Sequence, residues 1–338
     1  MKVDEKICVL NAGGWGTALA VLLSGKGYDV RLWARRPELA REIGVTRENL
    51  SYLPGVSIPR NVLATSDLRE AVDGSSVVVV ATIFRGLKEL APRVGALLRP
   101  DQLVVCAAKG LDEETLRRGS ELLENSLPAD HRGRVAVLSG PNHAEEVSRG
   151  IPTATVVASR DEEVALRIQE VLSAPTFRVY TNLDIVGVEL CGALKNVVAI
   201  AAGMSDGLGY GDNSKAALIT RSLAEIGRLV VEEGAHPYTV AGLAGIGDII
   251  ATCTSHHSRN RAAGEAIARG KSVEQVIAGS PMVVEGIPTT RAILKLARQK
   301  GVEMPITSQV HAVLFEGISP QEGMEQLMMR ESTSEPWM

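Results

Sequence analysis

The chain has 338 residues, room for about two domains of ordinary size, and its 45% apolar and 22% charged residues describe a globular chain rather than a disordered one. Aromatics are only 3%, so Val, Leu, Ile and Ala must build the core. A net charge of −4 offers no basic surplus for nucleic acid or an acidic membrane, so an anionic ligand would need local cations. Cys8, Cys106, Cys191 and Cys253 are far apart in apolar or helical settings, which predicts buried free thiols in a reducing compartment rather than disulfides or a metal site. Asp4 and Glu5 before a short apolar run are wrong for a signal peptide, and no apolar run reaches the length of a membrane span. The expectation is a cytoplasmic protein with no nucleic-acid partner and no stable membrane insertion.

In chain order, Ile7 to Leu10 is an apolar run suited to a strand buried on both faces. Asn11-Ala12-Gly13-Gly14-Trp15-Gly16 then breaks the strand, and Trp15, Leu19, Leu22 and Leu23 recur at helical spacing up to Gly25. Strands follow at 29–33, 62–64, 76–81, 103–107, 135–138, 153–158 and 178–180. Helices are expected between them at 37–43, after a Ser66 or Asp67 cap, and at 87–98, 115–123 and 161–172, with a loop over 44–60. This alternation predicts an α/β, Rossmann-type, mostly parallel sheet over residues 1–183. After it come only helical patterns: 184–204, 213–234, 237–242, 246–252, 259–269, 272–278, 285–300, 305–315 and 320–328. The reading is therefore an all-α domain over 184–330 and a flexible polar tail over 331–338.

The strand, glycine turn and helix at the start form a dinucleotide-binding pattern, in which Gly13, Gly14 and Gly16 let a pyrophosphate approach the helix N-terminus. Asn11 occupies the usual first glycine position, and an ordinary strand-to-helix turn would also fit the pattern. About 20 residues on, where an acidic residue would bond the ribose of NAD, stand Arg35 and Arg36. Either guanidinium could pair a 2′-phosphate, which favours NADPH over NADH, or be a solvated charge. Lys195 lies inside an apolar, small-residue helix, as a proton donor or acceptor for a carbonyl–alcohol pair or as a lysine snorkelling to water. Asp248, in Ala244-Gly245-Ile246-Gly247-Asp248, is its candidate counter-ion or a residue favoured at a helix start. Ser258 reads as an N-cap that puts Arg259 and Asn260 in a first turn suited to phosphate. His256 and His257 are adjacent with no ligand cluster nearby, so exposed loop residues are expected and no metal. Lys109 follows a strand at its carboxyl edge, as a ligand contact or a loop charge. Pro141 in Ser139-Gly140-Pro141-Asn142-His143-Ala144 suits the first turn of a helix.

Taken with Val188-Glu189-Leu190, Ala193-Leu194-Lys195-Asn196, Gly211-Asp212-Asn213 and Ser258-Arg259-Asn260-Arg261, the chain resembles the bacterial-type NAD(P)-dependent glycerol-3-phosphate dehydrogenases over nearly its whole length. The resemblance implies reduction of dihydroxyacetone phosphate to sn-glycerol 3-phosphate, the phospholipid backbone precursor, with NADPH or NADH. It makes Lys195 the catalytic lysine and Lys109 a lysine shared by substrate and cofactor. Asp248, Ser258, Arg259 and Asn260 become substrate contacts, with Arg259 also near the cofactor. Asn11, Gly13, Gly14, Trp15, Gly16, Arg35 and Arg36 match the cofactor turn and its ribose-phosphate end. Gly140, Asn142 and Ala144 match the segment beside the nicotinamide, the first two toward substrate, and Val283 and Glu285 match later cofactor contacts. Departures are Asn11, Thr82-Ile83-Phe84-Arg85 after the valine strand, and Asn142-His143. Rival readings are a related β-hydroxyacid-type dehydrogenase and a non-catalytic NADPH-binding sensor. A helical second domain would allow a homodimer.

Overall fold

The computed structural model describes residues 5–131, 133–280, 282–332, 334 and 335; Asp4 and, in the expected tail, Thr333 and residues 336–338 lie outside the described residues. The chain forms two compact units, one running up to Ala108 and resuming over Gly119–Ile185, the other made of Lys109–Arg118 and the residues from Val186 on.

The first unit is built from β1 (Lys6–Leu10), α1 (Gly14–Gly25), β2 (Asp29–Trp33), α2 (Pro37–Thr46), β3 (Val62–Thr65), α3 (Leu68–Val72), β4 (Val77–Val80) and α4 (Phe84–Gly95). It continues with β5 (Leu103–Cys106), α5 (Gly119–Glu124), β6 (Val135–Ser139), α6 (Ala144–Val147), β7 (Thr153–Ser159), α7 (Glu162–Leu172) and β8 (Phe177–Asn182). The strands form one sheet of order β3-β2-β1-β4-β5-β6-β7-β8, parallel except for the antiparallel pair β6–β7. Val77 to Val80 are buried throughout, and each such side chain contributes about 1.5–3 kcal/mol. The order runs backwards from β3 to β1 and forwards from β4, so the strand direction of winding reverses between β1 and β4. The glycine turn leaves β1 at that switch point, where open α/β sheets bind ligands. Leu19, Leu23, Val30 and Ile43 pack into the core that carries it.

Four local expectations change. No helix covers 115–118: the Asp112 carboxylate accepts from the N–H and hydroxyl of Thr115, Leu116 turns to φ 59, and α5 begins only at Gly119. Helix α4 is shifted toward the N-terminus, because Phe84, Leu87 and Leu90 provide its buried face. Helix α2 reaches Thr46, into the expected loop, and stops at Arg47 in the left-handed conformation. Pro141 precedes rather than opens its helix, which starts at Ala144 with His143 as N-cap.

In the second unit the helices are α8 (Ile185–Gly207), α9 (Asp212–Glu232), α10 (Asp248–Thr254), α11 (Arg259–Ala268), α12 (Val273–Gly279), α13 (Gly286–Lys300), α14 (Pro305–Phe315) and α15 (Pro320–Met328). The stretches expected as helix over 237–242 and before Asp248 are a 3₁₀ turn, Pro237–Ala241, and a kinked π-helical turn, Leu243–Gly247. Among the described residues α8 is long and apolar enough to cross a membrane, which corrects the expectation that no apolar run has that length; 89% of its apolar window is buried inside the protein. Its small residues explain how. A Cβ on Gly203 would stand 1.9 Å from the Arg261 carbonyl oxygen, and one on Gly264 would stand 2.0 Å from that of Ile200. Helices α8 and α11 thus touch backbone to backbone.

Candidate functional site

In the first unit, Asn11 takes φ 87, a conformation asparagine tolerates better than most residues, and its side-chain amide donates to the Ala81 carbonyl at the end of β4. Asn11 therefore ties the turn after β1 to both neighbouring strands, since its own N–H donates to Trp33 O at the end of β2. A Cβ on Gly16 would lie 2.0 Å from Asn11 O, so the turn closes only with glycine there. Helix α1 starts after Gly13 with no side-chain cap and no acidic residue in its first turn. Gly14 approaches Ala144, whose Cβ is 3.8 Å from where its own would be. An open helix start lined by Gly13 and Gly14 fits a pyrophosphate. Trp15 packs on the core with its ring nitrogen buried and without a hydrogen-bond partner among the described residues. Arg35 and Arg36 are exposed beyond β2; Arg36 stacks over Tyr52 and donates to its hydroxyl. Gly140 (φ 137) and Asn142 face Thr155, to whose hydroxyl Asn142 donates at 3.2 Å.

The second unit assembles the lysines. Lys195, 9% exposed on α8, does not snorkel to water: its Nζ donates to Asp248 Oδ1 at 2.7 Å and to Thr252 Oγ1 at 2.9 Å. Lys109 Nζ donates to the other oxygen of Asp248, also at 2.7 Å. One carboxylate, 1% exposed, thus holds two ammoniums. Burial works to raise the Asp248 pKa, but Lys109 and Lys195 outweigh it and hold the carboxyl below its ordinary value. Burial pushes Lys109 down to about 8, with Asp248 opposing and Lys195 adding to the fall. The Leu243–Gly247 turn delivers Asp248: at Gly245, which is non-helical, the backbone passes so close to Val240 O that a Cβ would overlap it. Sequence reading missed Thr252, although a hydroxyl four residues after Asp248 on a helix shares its face.

Ser258 caps α11 by accepting from the Arg261 N–H, as expected. Arg259 is exposed and reaches Val283 O at 3.3 Å. Asn260 Nδ2 donates to Asn196 Oδ1 and its Oδ1 accepts from Gly286 N, so the amide joins α8, α11 and the start of α13. Glu285 is the N-cap residue of α13. The predicted residues of this unit therefore fall into two groups, Lys109–Asp248–Lys195 and Ser258–Arg259–Asn260 with Val283 and Glu285, linked through the neighbours Lys195 and Asn196. His256 and His257 are exposed in the turn before Ser258.

A glycine turn at the switch point of a Rossmann sheet, with a helical unit that buries a lysine on a shared carboxylate, is the arrangement a nicotinamide-dependent dehydrogenase calls for. The family models agree: residues 6–165 match the NAD-dependent glycerol-3-phosphate dehydrogenase N-terminus and residues 184–325 its C-terminus. The chain is 51% identical to a glycerol-3-phosphate dehydrogenase (NAD(P)+) of Chlorobium phaeobacteroides strain BS1, over 98% of this chain and 99% of that one. It is 52% identical to the protein of the same name from Moorella thermoacetica, over 98% of each. The crystal structure of glycerol-3-phosphate dehydrogenase from Coxiella burnetii superposes with a TM-score of 0.91 at 38% identity, covering 96% of this chain and 99% of that one. This chain belongs to the NAD-dependent glycerol-3-phosphate dehydrogenase family.

Proposed function

We propose that the protein reversibly reduces dihydroxyacetone phosphate to sn-glycerol 3-phosphate with NADPH, or with NADH, in the cytoplasm, supplying the backbone of glycerophospholipids. The observation that carries this reading is the buried Lys109–Asp248–Lys195 cluster in a chain of this family. Two ammoniums on one carboxylate leave a net positive charge, which suits a phosphorylated ketone and the alkoxide it becomes. Bound NADPH or NADH supplies the hydride. Lys195 gives its Nζ proton to the developing alkoxide oxygen at C2, and takes it back in oxidation. Asp248 and Thr252 fix that nitrogen on the helix α10 side, and Lys109 adds positive charge to the same site. Arg259, Asn260 and the start of α11 behind Ser258 hold the phosphate, and this remote binding aligns the ketone. Gly140 and Asn142 contact substrate. Asn11, Gly13, Gly14, Trp15, Gly16, Ala144, Val283 and Glu285 hold the dinucleotide, with Arg35 and Arg36 at its 2′-phosphate. The four cysteines are buried and outside any disulfide among the described residues, which supports a reducing compartment. A homodimer belongs to the same reading, and light scattering tests it.

The cluster's role is tested with Lys195→Ala. Turnover should fall by at least a hundredfold while NADPH still binds, as expected when a general acid is removed. Near-normal turnover of the variant would remove Lys195 from the mechanism.

A further inference from the structure

The segment Lys109–Arg118 carries Lys109 at one end and, at the other, an arginine that the reaction does not use. Arg118 Nη1 donates to Glu189 Oε2 at 2.9 Å, with the two side chains 8% and 7% exposed. Glu189 stands on α8, the helix that also carries Lys195, six residues earlier. The connection closes a circuit: Lys109 to Asp248, Asp248 to Lys195, along α8 to Glu189, then through Arg118 back along the segment. Between these ends the segment folds on itself, with Asp112 N donating to Arg117 O and Leu116 N to Asp112 O. From outside, Lys295 donates to the carbonyls of Glu113 and Glu114 and Arg291 stands 3.8 Å from the Glu113 carboxylate, and these exposed contacts are weak beside a buried ion pair. The segment has no helix or strand of its own to hold it.

We infer that the buried Arg118–Glu189 pair is a latch that positions Lys109 on the Asp248 carboxylate. Arg118 and Glu189 are positioning residues: neither is placed to meet substrate in the proposed reaction, and each acts through Lys109. Asp248 from α10 and Lys195 from α8 face Lys109, and the latch keeps its ammonium among them and out of water. A released Lys109 regains water, and its pKa returns toward that of an ordinary lysine, near 10.4.

The inference rests on the dihydroxyacetone phosphate reading for its kinetic test, and has a second readout independent of it. Breaking one side of a buried pair endangers folding, so the main variant is Arg118→Leu with Glu189→Leu, which keeps the site packed and neutral. Melting temperature verifies its fold. KM for dihydroxyacetone phosphate should rise about tenfold in this double variant, and less than twofold when the same two changes are made in a Lys109→Met background. Equal effects in both backgrounds, or an unchanged KM, would overturn the latch. Arg118→Lys, which keeps the charge but loses the guanidinium fork, should recover part of the loss. The second readout is the Lys109 side-chain ¹⁵N resonance titrated by NMR in the full chain: the latch requires its midpoint to move upward in the double variant, and an unmoved midpoint contradicts it. If the wild-type chain fails to turn over dihydroxyacetone phosphate, the functional reading fails, and the NMR titration alone decides the latch.

Discussion

Asp248 is the residue on which the charge balance of the second unit turns. Its two lysines sit 2.7 Å away on opposite oxygens, and removing the carboxylate leaves two ammoniums buried together. Asp248→Asn should therefore lower the unfolding free energy by about 3–5 kcal/mol at pH 6.5, as for other broken buried pairs. The pH dependence follows from the signs. Asp248 has a depressed native pKa, so its contribution is full above the ordinary carboxyl range and is lost as pH falls through the native value. Lys109, lowered to about 8, binds fewer protons folded than unfolded between there and 10.5, so stability rises with pH across that window. In Asp248→Asn, Lys109 sheds its proton well below pH 9.5, and the loss should shrink there. Denaturant titrations at the two pH values decide it; an equal loss at both would show that charge is not the cause. This site was partly legible: Lys195 and Asp248 announced themselves as charges in apolar, glycine-rich settings. Glu189 carried the same signal, a charge inside an apolar helix, but Arg118 did not, because its partner lies far away in sequence.

At the scale of elements, the contact between α8 and α11 fixes where Asn196 and Asn260 meet. Gly203→Ala forces a Cβ to within 1.9 Å of the Arg261 carbonyl, and backbone is a neighbour that yields little. Urea denaturation should show a loss of about 3 kcal/mol, at the upper end of overpacking costs. Gly25→Ala, where nothing lies within 4 Å, should instead gain up to about 1 kcal/mol from helix propensity. Comparable values for the two variants would mean that helix propensity, rather than close approach, governs these glycines. The small-residue run in α8 made such packing readable in advance. Helix 115–123 was misread for the opposite reason: leucine gives no warning of a left-handed φ, and Leu116 adopts one because Asp112 closes the loop around it.

For the whole molecule, alternating strands and helices followed by helices alone were enough to read the sheet and the helical half, since both patterns are local. The passage of Lys109–Arg118 into the second unit is a property of distant contacts, and no local pattern carries it. Cofactor choice also belongs to this scale, because exposed Arg35 and Arg36 are the cations at the end of β2 in a chain with no basic surplus. Replacing both with alanine should raise the Kd for NADPH about tenfold, about 1.4 kcal/mol, and leave that for NADH unchanged. Equal weakening of both cofactors in fluorescence titrations would place the arginines elsewhere than the 2′-phosphate. The central claim, reduction of a phosphorylated ketone by the nicotinamide with the lysine cluster supplying the proton, meets its most direct test in the absorbance of the reduced nicotinamide. Purified wild-type protein mixed with NADPH or NADH and dihydroxyacetone phosphate should oxidise the cofactor and form sn-glycerol 3-phosphate. Cofactor oxidation with a keto-carboxylate but none with dihydroxyacetone phosphate would contradict the account.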